Sequence, residues 1–382
     1  MLTRIEVNPS LLVWAGERSG IDTQSLEARF PRLSSWRSGD AQPIFRQLEK
    51  FARATHTAFG YFLMESPPDL VLPIADFRAL GGSEVSGPGP NLLDTIHECT
   101  LRQSWYHDYL IHEGAEPVTW IGKLSIETNP MQAAQQVREA LNYEVDSRKR
   151  FADWSAAFSY LIRTVEGQGA LVMVNGVVGA NNRRKLDPED FRGFSLVDDL
   201  APLIFVNGAD TRAAQIFTLI HEYAHLCIAQ GGVSNASLEQ ESDYAIERWC
   251  NAVAAEVLAP AHSLQNLYPA LAQSDNRIGD LAKIFRCSGT VVLYRLLDLS
   301  LISRAEFGSL MKEQKEKFAG TAKVSAGGNF YATLPRRVSP TFASAVVSSA
   351  LSGQTDFREA KRILGIAKTS TFDELARRIA VA

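Results

Sequence analysis

Apolar residues recur at helical spacing through most of the chain, and short unbroken apolar runs break that rhythm only near its middle. NPSLLVWAGERSG (8–20) carries its apolar side chains on one face and closes on glycine. Asp22 is a candidate N-cap for DTQSLEARF. Pro43 stands near the start of PIFRQLEKFARATHTAFGYFLM, where Phe45, Leu48, Phe51 and Ala52 share an apolar face, and Ser66-Pro67-Pro68 stops that helix. LGGSEVSGPGPN (80–91) reads as an ordered loop or linker, followed by a mainly helical stretch over 92–165. Three apolar runs bounded by turn residues predict strands at 169–176, 193–197 and 202–208. Helices are expected over 210–230 and about 240–260, then a helix-rich block over 275–318. SAGGNFYATLPRRV reads as a loop or short hairpin, with two helices after it, and there is no internal repeat.

A chain of 382 residues suggests two or three folding units at ~150 residues each. A hydrophobic fraction of 46% with 21% charged residues excludes a disordered or fibrous protein. The net charge of −4 excludes a polycation that coats nucleic acid, so any DNA contact requires a local patch. Four cysteines far apart form no disulfide framework and point to buried thiols in a reducing compartment. The N-terminus has no long apolar leader, and no run of ~18 apolar residues occurs, so a cytoplasmic protein without a membrane partner is expected.

The chemistry is concentrated in DTRAAQIFTLIHEYAHLCIAQGG, whose His221-Glu222-Tyr223-Ala224-His225 is an HExxH motif. Residues four apart on a helix stand about 5.4 Å from one another on one face, so both imidazoles can address one metal ion. Glu222 projects in a neighbouring direction, where it can take a proton from a metal-bound water and pass it to a leaving amine. With 7 His among 382 residues, accidental matches number on the order of 0.01. Asp210 is a candidate N-cap for this helix, and Ile216, Phe217, Leu219 and Ile220 anchor it in a core.

A catalytic zinc takes three protein ligands. The third is sought in the following segment, which offers Glu239, Glu241, Asp243, Glu247 and Glu256. Glu247 is best placed, because Ile246, Trp249, Val253 and Val257 form a packing stripe and Asn251 lies one turn further on the face of Glu247. Asn251 is then a candidate partner for a metal-bound histidine, while Glu241 and Glu256 stay open as alternatives. Zn2+ is the expected ion, and His/Glu ligation also admits Mn2+ or Fe2+.

Glu247-Arg-Trp-Cys-Asn251-Ala-Val-Ala-Ala-Glu-Val-Leu-Ala-Pro260 resembles the helix that follows HExxH in ImmA/IrrE metallopeptidases, approximately ExxAN-x-FAA-x-LLMP. Cys250 replaces the usual alanine and Ala259 the usual methionine; the match spans roughly residues 150–265. The resemblance implies an α+β, helix-rich protein with a gluzincin-like zinc peptidase domain and a small sheet, flanked by helical, helix-turn-helix-like domains. It also implies an endopeptidase acting in gene regulation on a repressor or antitoxin-like partner.

The expected domains are an XRE-like helical domain over 1–78, a peptidase domain over 92–265 and a helical domain over 266–382. Trp36-Arg-Ser-Gly39-Asp-Ala-Gln-Pro43 and QLEKFARAT resemble the end of an XRE-type helix-turn-helix, although the segment before Trp36 is shorter than that family's. Arg32 and Arg37 are its candidate DNA contacts. IGDLAKIFRCSGTVVLYRLLDLSLIS (278–303) has a second helix-turn-helix pattern, with Arg286 and Arg295 as candidate contacts. Trp105, Tyr106 and Tyr109 read as interior packing, and the remaining histidines as surface or core residues. An extended substrate is expected to pair with a strand in 193–206. The alternative function is a non-proteolytic regulator or antitoxin that binds DNA or sequesters a co-encoded toxin. A homodimer is a candidate assembly for either reading.

Overall fold

The computed structural model describes residues 4–70, 72–77, 88–234, 245–319 and 330–381. Its chain forms two compact units, Met1–Pro73 with Gly82–His97, and Ile74–Gly81 with Glu98–Ala382.

The first unit holds α1 (Pro9–Arg18), α2 (Thr23–Arg29), α3 (Leu33–Arg37) and α4 (Phe45–Ala54), then a 3-10 turn at Phe59–Leu63. Asn8 caps α1, and Asp22 caps α2 by accepting from the Ser25 amide at 2.8 Å. Leu11, Leu12, Leu26, Leu33, Trp36, Leu48, Phe51 and Phe62 form its core. The helix expected to run on to Met64 stops at Ala54. There the Thr55 hydroxyl donates back to the Phe51 carbonyl at 3.0 Å, and His56 takes a left-handed φ of 51°. Trp36–Pro43 spans the end of α3 and the loop before α4, and QLEKFARAT lies in α4 and its cap; Arg32 is exposed and Arg37 half-buried.

The second unit is built on a five-stranded mixed sheet and a small hairpin. Its strands are β1 (Ala75–Asp76), β2 (Leu171–Asn175), β3 (Val177–Val178), β4 (Asn181–Lys185), β5 (Gly193–Leu196), β6 (Leu203–Asn207) and β7 (Gly232–Ser234). The sheet order is β1-β7-β5-β6-β2, with β3 and β4 paired separately. β2 runs parallel to β6, β5 antiparallel to both β6 and β7, and β1 parallel to β7. The three apolar runs in the sequence became β2, β5 and β6, whose residues are all buried, as expected of strands covered on both faces.

The next helices are α5 (Pro90–Glu113), α6 (Pro130–Ala140), α7 (Trp154–Gly167), α8 (Arg212–Cys227) and α9 (Ala245–Leu258). α8 packs on β5 and β6 and against α7 and α9, while α6 packs on the far side of α9. Thr211 caps α8, accepting from the Ala214 amide at 3.3 Å; the expected cap, Asp210, instead accepts from the Thr211 amide and lies 3.7 Å from Arg192. α10 (Ala261–Ala270), α11 (Arg277–Phe285), α12 (Gly289–Asp298) and α13 (Arg304–Ala319) share this unit, with α11 and α12 in the same hydrophobic core as α8 and α9.

Four further helices follow, α14 (Phe330–Val338), α15 (Pro340–Leu351), α16 (Phe357–Ile363) and α17 (Thr369–Val381). The glycines and Pro335 suggested a loop where α14 stands; Leu334 and Val338, buried against its packing on β2, override that local preference. Residues 78–87 and 325–329, part of the two expected loops, lie outside the described residues.

One buried cation fixes the far end of α9. Arg148 is fully buried and donates to the carbonyls of Tyr143, Val257, Leu258 and Phe285, so it satisfies the open ends of α9 and α11 together. Its guanidinium also lies 4.2 Å from the Tyr143 ring centroid. Arg148→Met leaves those carbonyls without donors and is expected to lower the unfolding free energy by at least about 3 kcal/mol, measured by urea denaturation. A loss under about 1 kcal/mol would show that the carbonyls find other donors.

Candidate metal centre

Helix α8 presents His221 and His225 one turn apart, and α9 crosses it with Glu247 in its first turn. His225 Nε2 lies 3.0 Å from His221 Nε2 and 2.9 Å from Glu247 Oε1, while His221 Nε2 lies 3.3 Å from Glu247 Oε2. All three residues are buried, and their ligand atoms lie within 4.8 Å of one another. Atoms around a tetrahedral zinc at ~2.0–2.2 Å stand roughly 3.3–3.6 Å apart, close to the separations here. Two neutral imidazoles and a carboxylate form the donor set of a catalytic zinc site, so the residues fit the ion. His221, His225 and Glu247 form a possible metal site.

The electrostatics follow from burial and mutual contact. Burial pushes the Glu247 carboxyl up, but the two imidazoles outweigh it and hold the group at about 2. Burial raises Glu222 above the ordinary 4.5, although His225, His221 and Ser234 pull the other way. His225 Nδ1 faces the Gln230 carbonyl at 2.9 Å, which fixes the ring so that Nε2 points at Glu247. Cys250 is fully buried and interacts with His225, and burial raises its thiol.

Glu222 is set apart from the ligands. Ser234 of β7 donates to Glu222 Oε1, and Oε2 is buried with no partner among the described residues. Gly193 makes this approach possible. A Cβ there would meet Thr218 Cγ2 at 2.6 Å, the Phe205 carbonyl at 2.8 Å and Glu222 Oε1 at 3.2 Å. Ser234, Gly193 and the Gln230 carbonyl were not legible as site elements. The run Gly231-Gly232-Val233-Ser234 is too short and glycine-rich to read as a strand.

The other candidates separate clearly. Asn251 is half-buried one turn after Glu247, and the Gln230 carbonyl faces His225 Nδ1. Glu256 binds Arg295 and accepts from the Ala261 amide, so it is engaged away from the histidines. Glu239, Glu241 and Asp243 lie outside the described residues. Arg295, expected as a DNA contact, is held by Glu256 and the Ala259 carbonyl. Arg286 occupies a left-handed turn, donates to the Phe151 carbonyl and lies over the Trp154 ring. Both guanidinia therefore bond to groups within the fold. Tyr106 packs inside, whereas Trp105 and Tyr109 are half-buried. The expected substrate strand within 193–206 is also corrected: β5 lies between β7 and β6, and β6 between β5 and β2, so neither has a free edge.

A peptidase family model, described as IrrE N-terminal-like domain, matches residues 180–297. That stretch is less than a third of the chain, includes His221, Glu222, His225 and Glu247, and continues through α11 and most of α12. The match supports the ImmA/IrrE resemblance. A second model, described as a domain of unknown function, matches residues 338–378. No curated protein matches the chain. No described helix is long and apolar enough to cross a membrane.

Ser234→Ala removes the hydroxyl that donates to Glu222 and is expected to lower the stability of metal-free protein by about 1–3 kcal/mol at pH values where Glu222 is ionised. Because burial raises the folded pKa of Glu222 above its unfolded value, the ionised carboxylate destabilises the fold, and that penalty fades as pH falls through the raised value. The deficit of Ser234→Ala should fade over the same window in urea melts. A deficit independent of pH would place the serine's role elsewhere.

Proposed function

We propose that this chain is a zinc-dependent endopeptidase of the gluzincin type, acting in gene regulation by cutting a repressor or antitoxin-like protein. The observation that carries the reading is Glu222. It interacts with the three candidate ligands, and one of its carboxylate oxygens is buried with no hydrogen-bond partner among the described residues, the disposition of a general base. His221, His225 and Glu247 would hold the ion, which when bound supplies Lewis-acid polarisation of a carbonyl and acidifies water. Glu222 takes a proton from the attacking water and returns it to the leaving amine. Ser234 steadies the ionised form of Glu222 by donating to Oε1.

The regulatory role rests on the IrrE-like match and on the ImmA/IrrE resemblance of the Glu247 helix. A binding protein that sequesters its partner or DNA without cleavage is the alternative; the bonds of Arg286 and Arg295 within the fold weigh against their serving it. Arg32 and Arg37 in the N-terminal unit would have to serve it. Glu222→Gln should retain the ion and the fold and lower kcat by about 10²–10⁴-fold against a co-encoded partner protein. Cleavage at the wild-type rate by that variant would rule out the catalytic assignment.

A further inference from the structure

The sheet edge beside the candidate metal centre is filled by the chain itself. Ala75 pairs with Gly232 and Asp76 with Val233, and the Phe77 amide donates to the Val233 carbonyl at 2.9 Å. Phe77 then stacks on His225, with ring centroids 5.6 Å apart and planes 16° from parallel. The next residue of β7, Ser234, is the one that donates to Glu222. The segment therefore uses the backbone edge of β7 and places an aromatic ring on a candidate metal ligand. His221, Glu222 and His225 are 0% exposed and Glu247 is 3% exposed, so an outside peptide cannot reach them in this conformation.

The fit of the segment is specific. A side chain at Gly232 would place its Cβ 2.5 Å from the Phe77 ring and 2.8 Å from the Ala75 carbonyl, so β7 has room for the segment only because this residue is glycine. Its hold is also slight. β1 is two residues long, Ala75 is exposed, and Ile74, Asp76 and Phe77 are half-buried. Short edge pairings of this kind open at low free-energy cost compared with core strands.

We propose that Ile74–Phe77 is an internal occupant of the peptide-binding edge. An extended substrate displaces it and pairs with β7 in its place, seating an aromatic side chain against His225 where Phe77 now lies. The proposal rests on the metallopeptidase reading for its substrate class, and the experiment separates the two.

Full-length wild type, Phe77→Ala and Gly232→Ala are compared in metal-free form. Diethylpyrocarbonate modification of His225 is followed by mass spectrometry, with exposed His262 as the internal reference. Both variants should raise the His225 rate relative to His262 by roughly tenfold, a factor equivalent to about 1.4 kcal/mol. A fluorescein-labelled peptide with the sequence of residues 72–77, LPIADF, is then titrated by anisotropy. It should bind Phe77→Ala roughly tenfold more tightly than wild type. It should not bind Gly232→Ala, whose new Cβ blocks any strand in that register. An unchanged His225 rate in both variants, or equal peptide affinity in wild type and Phe77→Ala, overturns the proposal. Absence of hydrolysis by all three zinc-loaded proteins, with opening and binding as expected, would instead refute the peptidase reading and leave the occupied edge standing.

Discussion

Two imidazoles and a carboxylate are held at hydrogen-bonding separations in a buried interior, and the arrangement of the second unit follows from keeping them there. Buried ionisable groups carry a desolvation cost that only a partner charge or ion offsets. A divalent cation offsets it for all three at once. Short of an ion, the carboxylate and the imidazoles must share protons, as the low pKa of Glu247 reflects. α8 must therefore cross α9 at one fixed place. The Thr211 cap and the packing of α8 on β5 and β6 set the first helix, and Arg148 secures the end of the second.

Much of this was legible in the sequence for physical reasons. His221 and His225 are four apart on a strongly apolar helix, and that spacing alone places both rings on one face. Glu247 followed from the packing stripe of Ile246, Trp249, Val253 and Val257, which oriented α9 before any contact was known. β2, β5 and β6 were visible as unbroken apolar runs because both their faces are covered. The illegible parts depend on contacts between distant segments. β1 and β7 are too short to show a period, and no local pattern announces that Phe77 reaches His225. The role of Arg148 arises chiefly from carbonyls more than a hundred positions away, so nothing local in SRKR announces it. α14 went unrecognised because Pro335 and its glycine-rich approach dominate local preference, whereas packing on β2 decides the outcome.

The C-terminal helix pair α11 and α12 has a packing role within the second unit. α11 and α12 are two consecutive helices over IGDLAKIFRCSGTVV, with Ser288 capping the second. Arg295 binds Glu256 at the end of α9, and Arg286 reaches the Phe151 carbonyl. Here the pair supports the helix that carries Glu247, and the IrrE-like match extends across most of it. Compact helix pairs serve such packing roles irrespective of their likeness to DNA readers.

The central claim is that His221, His225 and Glu247 share one divalent cation. X-ray absorption at the zinc edge, on full-length protein purified without chelator, tests it most directly. One ion per chain, with imidazole nitrogen and carboxylate oxygen at about 2.0–2.2 Å and no sulfur, is the expected spectrum. A chain free of any transition ion, or a sulfur shell near ~2.3 Å implicating Cys250 as a ligand, would contradict the account.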